Sequence, residues 1–534
     1  MGTAVARPPA PLDRSCRAEF DAQHAAVVAA CWRVKVGPHR QCMLHGTRTD
    51  DIEPAAPRLL PPLVIDLDGT LTPTDTLFES ALVLLKRNPL NFFLLAVYAL
   101  RGAAALKQWV AERVALNVRS LPWRADLIDW VTSQRTGGRR VLLATAAHRS
   151  IADAVAAHLG LFDAALATEH GHNLKSERKL AAIRQAVGEA FVYAGDSKAD
   201  LAVWRASTAA VLVGATATLA AQVRSMVPVE AEFAAAAPAS RRLRVWLKAL
   251  RVHQWIKNLL LFVPLFTAFA FNQADKLQAA VLLFVGFSLA ASATYVMNDL
   301  WDLASDRQHP RKRLRAFASG ELPVVHGLAV ATLLLLAGLG VASLVSVATL
   351  AVLAGYVVLT TAYSWSLKSY VLIDVLMLAL LYTYRVLAGA VATAIVVSPW
   401  LLAFSIFTFF SLALVKRCAE LVSLQQAGRD TAKGRDYRVG DLVVLWPFGA
   451  GASLCAIVVF GLYVALPETA GRFAHPQGLW LVAVGLMYWF ARLWIKTARG
   501  EMHDDPIVFA LRDGGSRIVV MSMVLVTLAA YWVH

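Results

Sequence analysis

Nine apolar segments, at about 255–272, 277–297, 325–342, 345–363, 370–391, 399–415, 443–466, 478–495 and 516–533, constrain this chain more than any other feature. Each is long enough to cross a bilayer core of about 30 Å, so residues 251–534 read as an all-α polytopic membrane bundle of about nine transmembrane helices. If the amino-terminal side is cytoplasmic, the inside loops collect Arg307, Arg311, Lys312, Arg313, Arg315, Lys368, Lys416, Arg417, Arg429, Lys433, Arg435, Arg438, Arg492, Lys496, Arg499, Arg512 and Arg517. The outside loops then hold Lys276 and Arg472. That asymmetry sets the orientation by the positive-inside rule and absorbs the +15 net charge, so nucleic-acid binding is not expected. With 17% charged residues and a mean hydropathy of +0.53, a purely soluble enzyme is excluded.

Residues 61–233 follow a different pattern, α/β and Rossmann-like. Three apolar runs, Leu63-Val64-Ile65, Arg140 to Thr145 and Phe191 to Asp196, end in polar residues, which a parallel sheet gathers in one crevice beyond its carboxyl edge. Between the first two runs, about 76–136, helical periodicity predicts a cap, and within it Leu90 to Leu106 is apolar at a length that suits a buried or interfacial helix better than a span. Residues 234–250 read as a basic linker, where Arg241, Arg242, Arg244 and Lys248 suit anionic head groups. Residues 1–60, rich in Pro, Ala and Arg, read as a disordered leader without a secretory signal, and Met43 is an alternative start. The five cysteines (Cys16, Cys31, Cys42, Cys418, Cys455) are odd in number and lack metal spacing, so no disulfide framework is expected.

The first strand ends in Asp66-Leu67-Asp68-Gly69-Thr70. Two carboxylates two residues apart allow one to attack phosphorus while the other protonates the leaving oxygen, and the glycine permits a turn whose N–H groups approach a phosphate. Thr145 offers a hydroxyl, Lys179 a cation, and Gly195-Asp196-Ser197 with Asp200 the acids that hold Mg²⁺. The order DxDGT, Thr, Lys, GDSxxD resembles the haloacid dehalogenase-like phosphatases over about residues 61–225. The resemblance implies an aspartyl-phosphate on Asp66, Asp68 as general acid/base, phosphate contacts from Thr145 and Lys179, and Mg²⁺ near Asp66, Asp68, Asp196 and Asp200. Lys175 is a rival for Lys179.

The second apolar segment runs into Asn298-Asp299-Leu300-Trp301-Asp302 and on to Asp306. On one helix Asp299, Asp302 and Asp306 share a face, and three carboxylates there repel one another unless cations such as Mg²⁺ intervene. Basic residues follow at once, from Arg311 to Arg315, which suits an anionic ligand neutralised from both sides. Arg385, inside an apolar run, needs an anionic ligand or a structural partner such as Asp374. Gly389 and Ala390 read as close-packing residues.

NDxxDxxxD in this position resembles the UbiA superfamily of intramembrane prenyltransferases, over about residues 245–534. Where most aromatic prenyltransferases of that superfamily carry a second aspartate-rich motif, this chain has Tyr363-Ser364-Trp365-Ser366-Leu367-Lys368. That stretch, with Tyr384 to Ala390, Lys416 to Leu421, Asp504-Asp505-Pro506 and Leu511-Arg512-Asp513, resembles the decaprenyl-phosphate phosphoribosyltransferase branch. By that resemblance Asn298, Asp299, Asp302 and Asp306 bind Mg²⁺ and diphosphate, Lys312, Lys368 and Arg385 hold phosphates, and Lys416, Arg417 and Glu420 join them. The branch usually has Arg-Pro where this chain reads Arg315-Ala316.

Joined, these readings predict a bifunctional enzyme of a bacterial cytoplasmic membrane with its α/β domain in the cytoplasm. One half transfers 5-phosphoribosyl from phosphoribosyl diphosphate to a polyprenyl phosphate, and the other removes a phosphate from that product or a related phosphoester. The alternatives are prenyl transfer from a prenyl diphosphate to an aromatic or other acceptor, with the α/β domain a separate phosphatase or a module that binds without turnover.

Overall fold

The computed structural model describes residues 60–169, 173–233, 239–431, 435–502 and 505–532. The expected leader with Cys16, Cys31 and Cys42, the start of the expected linker, Lys433 and Asp504 lie outside the described residues.

Six parallel strands form one sheet: β1 (Leu63–Ile65), β2 (Val141–His148), β3 (Ala164–Thr168), β4 (Val192–Gly195), β5 (Ala209–Val213) and β6 (Val229–Phe233), in the order β3-β2-β1-β4-β5-β6. Strand β1 lies in the middle, Leu63 opposite both Val141 and Val192. Its side chains alternate: Leu63 and Ile65 enter one apolar layer with Leu143 and Ala194, Val64 the other with Leu142 and Tyr193. Burial on both faces is why these strands read as unbroken apolar runs.

Between β1 and β2 lie α1 (Thr76–Arg87), α2 (Asn91–Leu100), α3 (Ala103–Ala111) and α4 (Ala125–Thr136). Asp75 caps α1, its carboxylate accepting from the N–H groups of Leu77 and Phe78. The expected cap is shorter than 76–136: Leu127 and Val131 of α4, one turn apart, bury in the same layer as Leu63 and Ile65, so α4 belongs to the sheet. The remaining helices of this half are α5 (Arg149–Leu159), α6 (Glu177–Val187), α7 (Leu201–Ala206) and α8 (Ala217–Arg224).

The expected basic linker instead contains a helix, α9 (Ala239–Ala249). Val245, Trp246 and Leu250 give that stretch an apolar stripe, which packs on Leu300, Phe317 and Val324 and leaves the basic residues outward.

Among the described residues, eight helices of the second half are long and apolar enough to cross a membrane. The first of the nine expected segments differs. It folds as a 3₁₀ stretch, Val252–Phe262, and a short helix, α10 (Val263–Thr267), with Pro264 in its first turn. This segment runs antiparallel to α11 (Ala274–Trp301): Trp255 donates to Ser292, Asn258 to Ser288, Leu261 packs with Leu283, and Leu265 with Ala280. A rise of about 2.0 Å per 3₁₀ residue and 1.5 Å per α residue gives it roughly 30 Å, a bilayer core. Sixteen α-helical residues would reach only about 24 Å.

After α12 (Leu303–Gln308) the chain continues through α13 (Val324–Val345), α14 (Val347–Trp365), α15 (Ile373–Thr393), α16 (Pro399–Gln426) and α17 (Leu442–Val464). A short α18 (Pro467–Ala470) precedes α19 (Leu479–Ala498), α20 (Pro506–Arg512) and α21 (Gly514–Trp532). As expected for Gly389, α15 presses against the 3₁₀ stretch there: a Cβ at that position would lie 1.9 Å from the Leu261 carbonyl oxygen.

The two halves pack together through the cap. Phe78 and Leu82 of α1 join the apolar cluster of Leu300, Leu303, Phe317 and Val324. Beside them Arg307 donates to both carboxylate oxygens of Glu79, at 3.0 and 2.6 Å, with both side chains 7% exposed. Thr74 also donates to Glu79, at 2.7 Å.

Candidate functional sites

A cavity of about 340 Å³ lies at the carboxyl edge of the sheet, and Asp66, Asp68, Lys179, Asp196 and Asp200 all line it. Asp66 follows β1 directly, and one of its oxygens accepts from the N–H of Leu67. The Lys179 ammonium lies 3.0 Å from the other oxygen and 3.5 Å from Asp200, and it donates to the Tyr193 hydroxyl, which donates in turn to Asp200. Lys175, the rival cation, is exposed at the cavity wall. Asp68 accepts from the N–H of Thr76 at the start of α1. Thr145 is fully buried, its hydroxyl accepting from the N–H of Ala147.

Gly69 has φ +83°, and a Cβ there would stand 2.1 Å from an Asp196 oxygen, so the turn after β1 presses backbone against the carboxylates. Carboxylate oxygens of Asp66, Asp196 and Asp200 fall within 4.8 Å of one another. Burial, with the repulsion of Asp200 added, pushes Asp66 up to about 6 against the pull of Lys179. Burial and Asp75 push Asp68 up to about 7, and burial with Asp66 and Asp200 pushes Asp196 up to about 8. Buried, mutually repelling acids with oxygens this close fit a hard divalent cation, which relieves the repulsion. A carboxylate poised as nucleophile beside one poised as acid can cleave a phosphoester.

Two cations that sequence reasoning missed also face this site. Lys107 of α3 donates to the Ala146 carbonyl and to Asn173, and Arg124 donates to the Gly69 carbonyl. A lone lysine in the apolar run Ala103-Ala104-Ala105-Leu106-Lys107 was the available signal. Pro323, which precedes α13 of the bundle, lines the same cavity.

The second constellation sits where α11 meets the basic loop. Asp299, Asp302 and Asp306 do not share one helical face: α11 stops at Trp301, Asp302 has ψ +7°, and α12 begins at Leu303. Their partners differ accordingly. Arg315 bridges Asp299 and Asp306 at 3.1 and 2.6 Å, Arg251 lies 2.6 Å from Asp299, and Lys368 lies 3.5 Å from Asp302. Lys312 stands 4.0 Å from Asp306 and Asn298 is half-buried. Asp306 Oδ1 is buried without a hydrogen-bond partner, an acceptor that a metal ion or a donor could take. The sequence signal for Arg251 and Arg315 lay in their flanking motifs.

Arg385 does not pair with Asp374. It stacks between Tyr356 and Tyr382 and donates to Asn258, Tyr356 and the Leu381 carbonyl, so three of its donors serve the bundle wall. Asp374 instead holds Arg417 and the Tyr363 hydroxyl, and Arg417 also pairs with Glu420. Lys416 turns to Asp505, 3.4 Å away, where Lys257 also binds at 2.7 Å and Tyr382 donates at 3.2 Å. Lys257, Tyr382 and Asp505 form a polar node that their separation in sequence conceals.

Comparison with known proteins divides the chain at the same place. The haloacid dehalogenase-like hydrolase family matches residues 63–205, and the UbiA prenyltransferase family matches residues 259–512. The uncharacterized protein y4nM of Sinorhizobium fredii is 38% identical over 454 residues, 85% of this chain and 87% of that protein. Nodulation protein NoeC of Azorhizobium caulinodans is 35% identical across 52% of this chain and 90% of its own length. Decaprenyl-phosphate phosphoribosyltransferase of Mycolicibacterium smegmatis is 32% identical across 52% of this chain and 89% of its own.

Proposed function

Because the chain belongs to the UbiA prenyltransferase family and carries a haloacid dehalogenase-like domain ahead of it, an integral membrane protein built from two enzyme families, we propose that it runs two consecutive reactions at one membrane face. In the first, a phosphate oxygen of a polyprenyl phosphate attacks the anomeric carbon of 5-phosphoribosyl diphosphate, the bond to diphosphate breaks, and diphosphate leaves. In the second, the Asp66 carboxylate attacks the 5-phosphate of the lipid-linked product, Asp68 protonates the departing 5-oxygen, and water releases inorganic phosphate from Asp66. The membrane is a bacterial cytoplasmic one, with the sheet domain inside alongside the basic loops.

The observation that carries this reading is similarity along nearly the full length of decaprenyl-phosphate phosphoribosyltransferases. Lys368 in place of a second aspartate-rich motif agrees with it. Mg²⁺ would be held by Asp66, Asp196 and Asp200 in the sheet domain, and by Asp299, Asp302 and Asp306 with diphosphate in the bundle. When bound, it supplies charge neutralisation for phosphoryl oxygens. Around it, Lys179 holds Asp66 ionised and oriented, the N–H of Thr76 aligns Asp68, and Lys312 and Lys368 neutralise phosphate oxygens. Joining the steps is supported by the cavity wall itself, since Pro323 of the bundle contributes to it.

The test is purified full-length protein in detergent with Mg²⁺, labelled 5-phosphoribosyl diphosphate and polyprenyl phosphate. Label should reach the lipid phase, fail to do so in Asp302→Asn, and remain with an extra phosphate on the lipid in Asp66→Asn. No transfer by folded wild type overturns the reading in favour of a prenyl diphosphate donor. Transfer with the same final lipid in Asp66→Asn overturns the coupling.

A further inference from the structure

Helix α2 has no role in either site, and its surface is unlike that of the rest of the sheet domain. Its ten residues carry no charge, and none is buried. Phe92 is 59% exposed, Phe93 67% and Leu100 90%, and Leu90 at its entrance is 67% exposed. An aqueous domain rarely shows so dense an apolar patch. Leu95 and Tyr98 turn inward onto Leu84 and Trp109, so one side holds the helix to the cap while the other is left bare.

The position of α2 points to what covers that side. Helix α1 is packed on the end of α11 and the start of α13, through Phe78 and Leu82 against Leu300 and Val324. One turn further on, the Lys86 ammonium lies 6.0 Å from the ring centre of Trp301, the last residue of α11. Three residues separate the end of α1 from α2, a reach of about 10 Å, so α2 begins at the level where the membrane-crossing helices end. Lys86 and Arg87 precede it and Arg101 follows it. Helix α9 packs on the same cluster and carries Arg241, Arg242, Arg244 and Lys248. An apolar surface with basic ends, at this level, matches the boundary between anionic head groups and acyl chains. A helix of about 15 Å cannot span a bilayer core, so it lies in the plane.

We propose that α2 is a membrane-surface anchor: Leu90, Phe92, Phe93, Val97 and Leu100 enter the acyl boundary of the bilayer, and Lys86, Arg87 and Arg101 meet anionic head groups. The cap of the phosphoester site is thereby seated in lipid. This inference needs the bundle to be in a membrane and does not depend on which substrates either site takes.

Two measurements test it on full-length protein in vesicles of mixed zwitterionic and anionic phospholipid. In a background with all five cysteines changed to serine, a nitroxide is attached in turn to Phe92→Cys, Phe93→Cys, Val97→Cys and Leu100→Cys, with Val458→Cys on α17 and Arg184→Cys on α6 as lipid and water references. Molecular oxygen should relax the α2 labels more than a water-soluble nickel chelate does, as at Val458. A nickel-favoured pattern like that at Arg184 overturns the proposal, and so does shielding from both reagents, which would mean that a second copy or another part of the chain covers the helix. The second measurement uses unaltered protein and phospholipid with a photoreactive acyl chain. Adducts on the peptide containing residues 90–100 are expected, and adducts confined to the spanning helices would overturn the anchor.

Discussion

The phosphoester site and the intramembrane site are built by opposite strategies. In the sheet domain, Asp66 and Asp196 stand just beyond the ends of the adjacent parallel strands β1 and β4, and Thr145 lies within β2 beside them, so backbone geometry delivers the groups and each motif is read within a few residues. In the bundle, no single segment delivers the site. Arg251, Asp299, Arg315 and Lys368 come from four stretches, and Tyr382, Lys416 and Asp505, which meet Lys257 from the stretch that Arg251 opens, come from three more. A sheet edge concentrates chemistry locally in sequence, whereas a bundle assembles it from distant turns that are neighbours only once the helices pack.

The largest expected effects separate the two sites. Asp66→Asn removes the nucleophile and should lower phosphoester hydrolysis by about 10³-fold or more while label transfer to lipid persists; Asp302→Asn should do the reverse. Loss of both activities in either variant, at unchanged folding, would merge the two sites into one. Next comes the joint between them. Removing one partner of the Glu79–Arg307 pair leaves a buried charge, and Arg307→Ala should cost about 3–5 kcal/mol in denaturant melts, with the double change Glu79→Leu, Arg307→Met recovering much of it. A loss under about 1 kcal/mol would mean that the halves are joined mainly by apolar contact.

A smaller loss, about 1–3 kcal/mol, is expected for Gly389→Ala, because the added methyl must displace the Leu261 carbonyl. The last effect is electrostatic. Asp66, Asp68 and Asp196 bind protons more tightly folded than unfolded, so without metal the sheet domain loses stability as pH rises from about 4 through 6 to 8. In chelator, its thermal midpoint should therefore fall between pH 5 and pH 8, and Mg²⁺ should restore more at pH 8 than at pH 5. Equal stabilisation by Mg²⁺ at both pH values would show that these acids are not what the cation relieves.

The same contrast governs what the amino-acid sequence reveals. The strands were legible because full burial leaves apolar runs ended by Asp or Thr, and Lys179 because its helix follows in register. The first segment was visible as apolar but not as 3₁₀, since Ser288 and Arg385, which bond Asn258, and Gly389, which meets Leu261, come from other segments. The three aspartates were legible as a group, but their common face was not: Asp302 turns to Lys368, while Asp299 and Asp306 share Arg315. Arg385 was legible as a charge in an apolar run, and its partners Asn258 and Tyr356 lie 127 and 29 residues away. Periodicity and local motifs carry no information about such pairings.

The Glu79–Arg307 joint also decides which part of the phosphoester site is tied to the bundle. Contacts to the bundle run through α1, through the stretch Val118–Ser120 facing α12, and through Pro73 and Pro122 beside Gly320, which are helix and loop residues rather than strands. One wall of the cavity, Thr76 and Leu77 of α1 together with Pro323, is therefore tied to the membrane-crossing part, while Asp66 and Asp196 stand on the strand side.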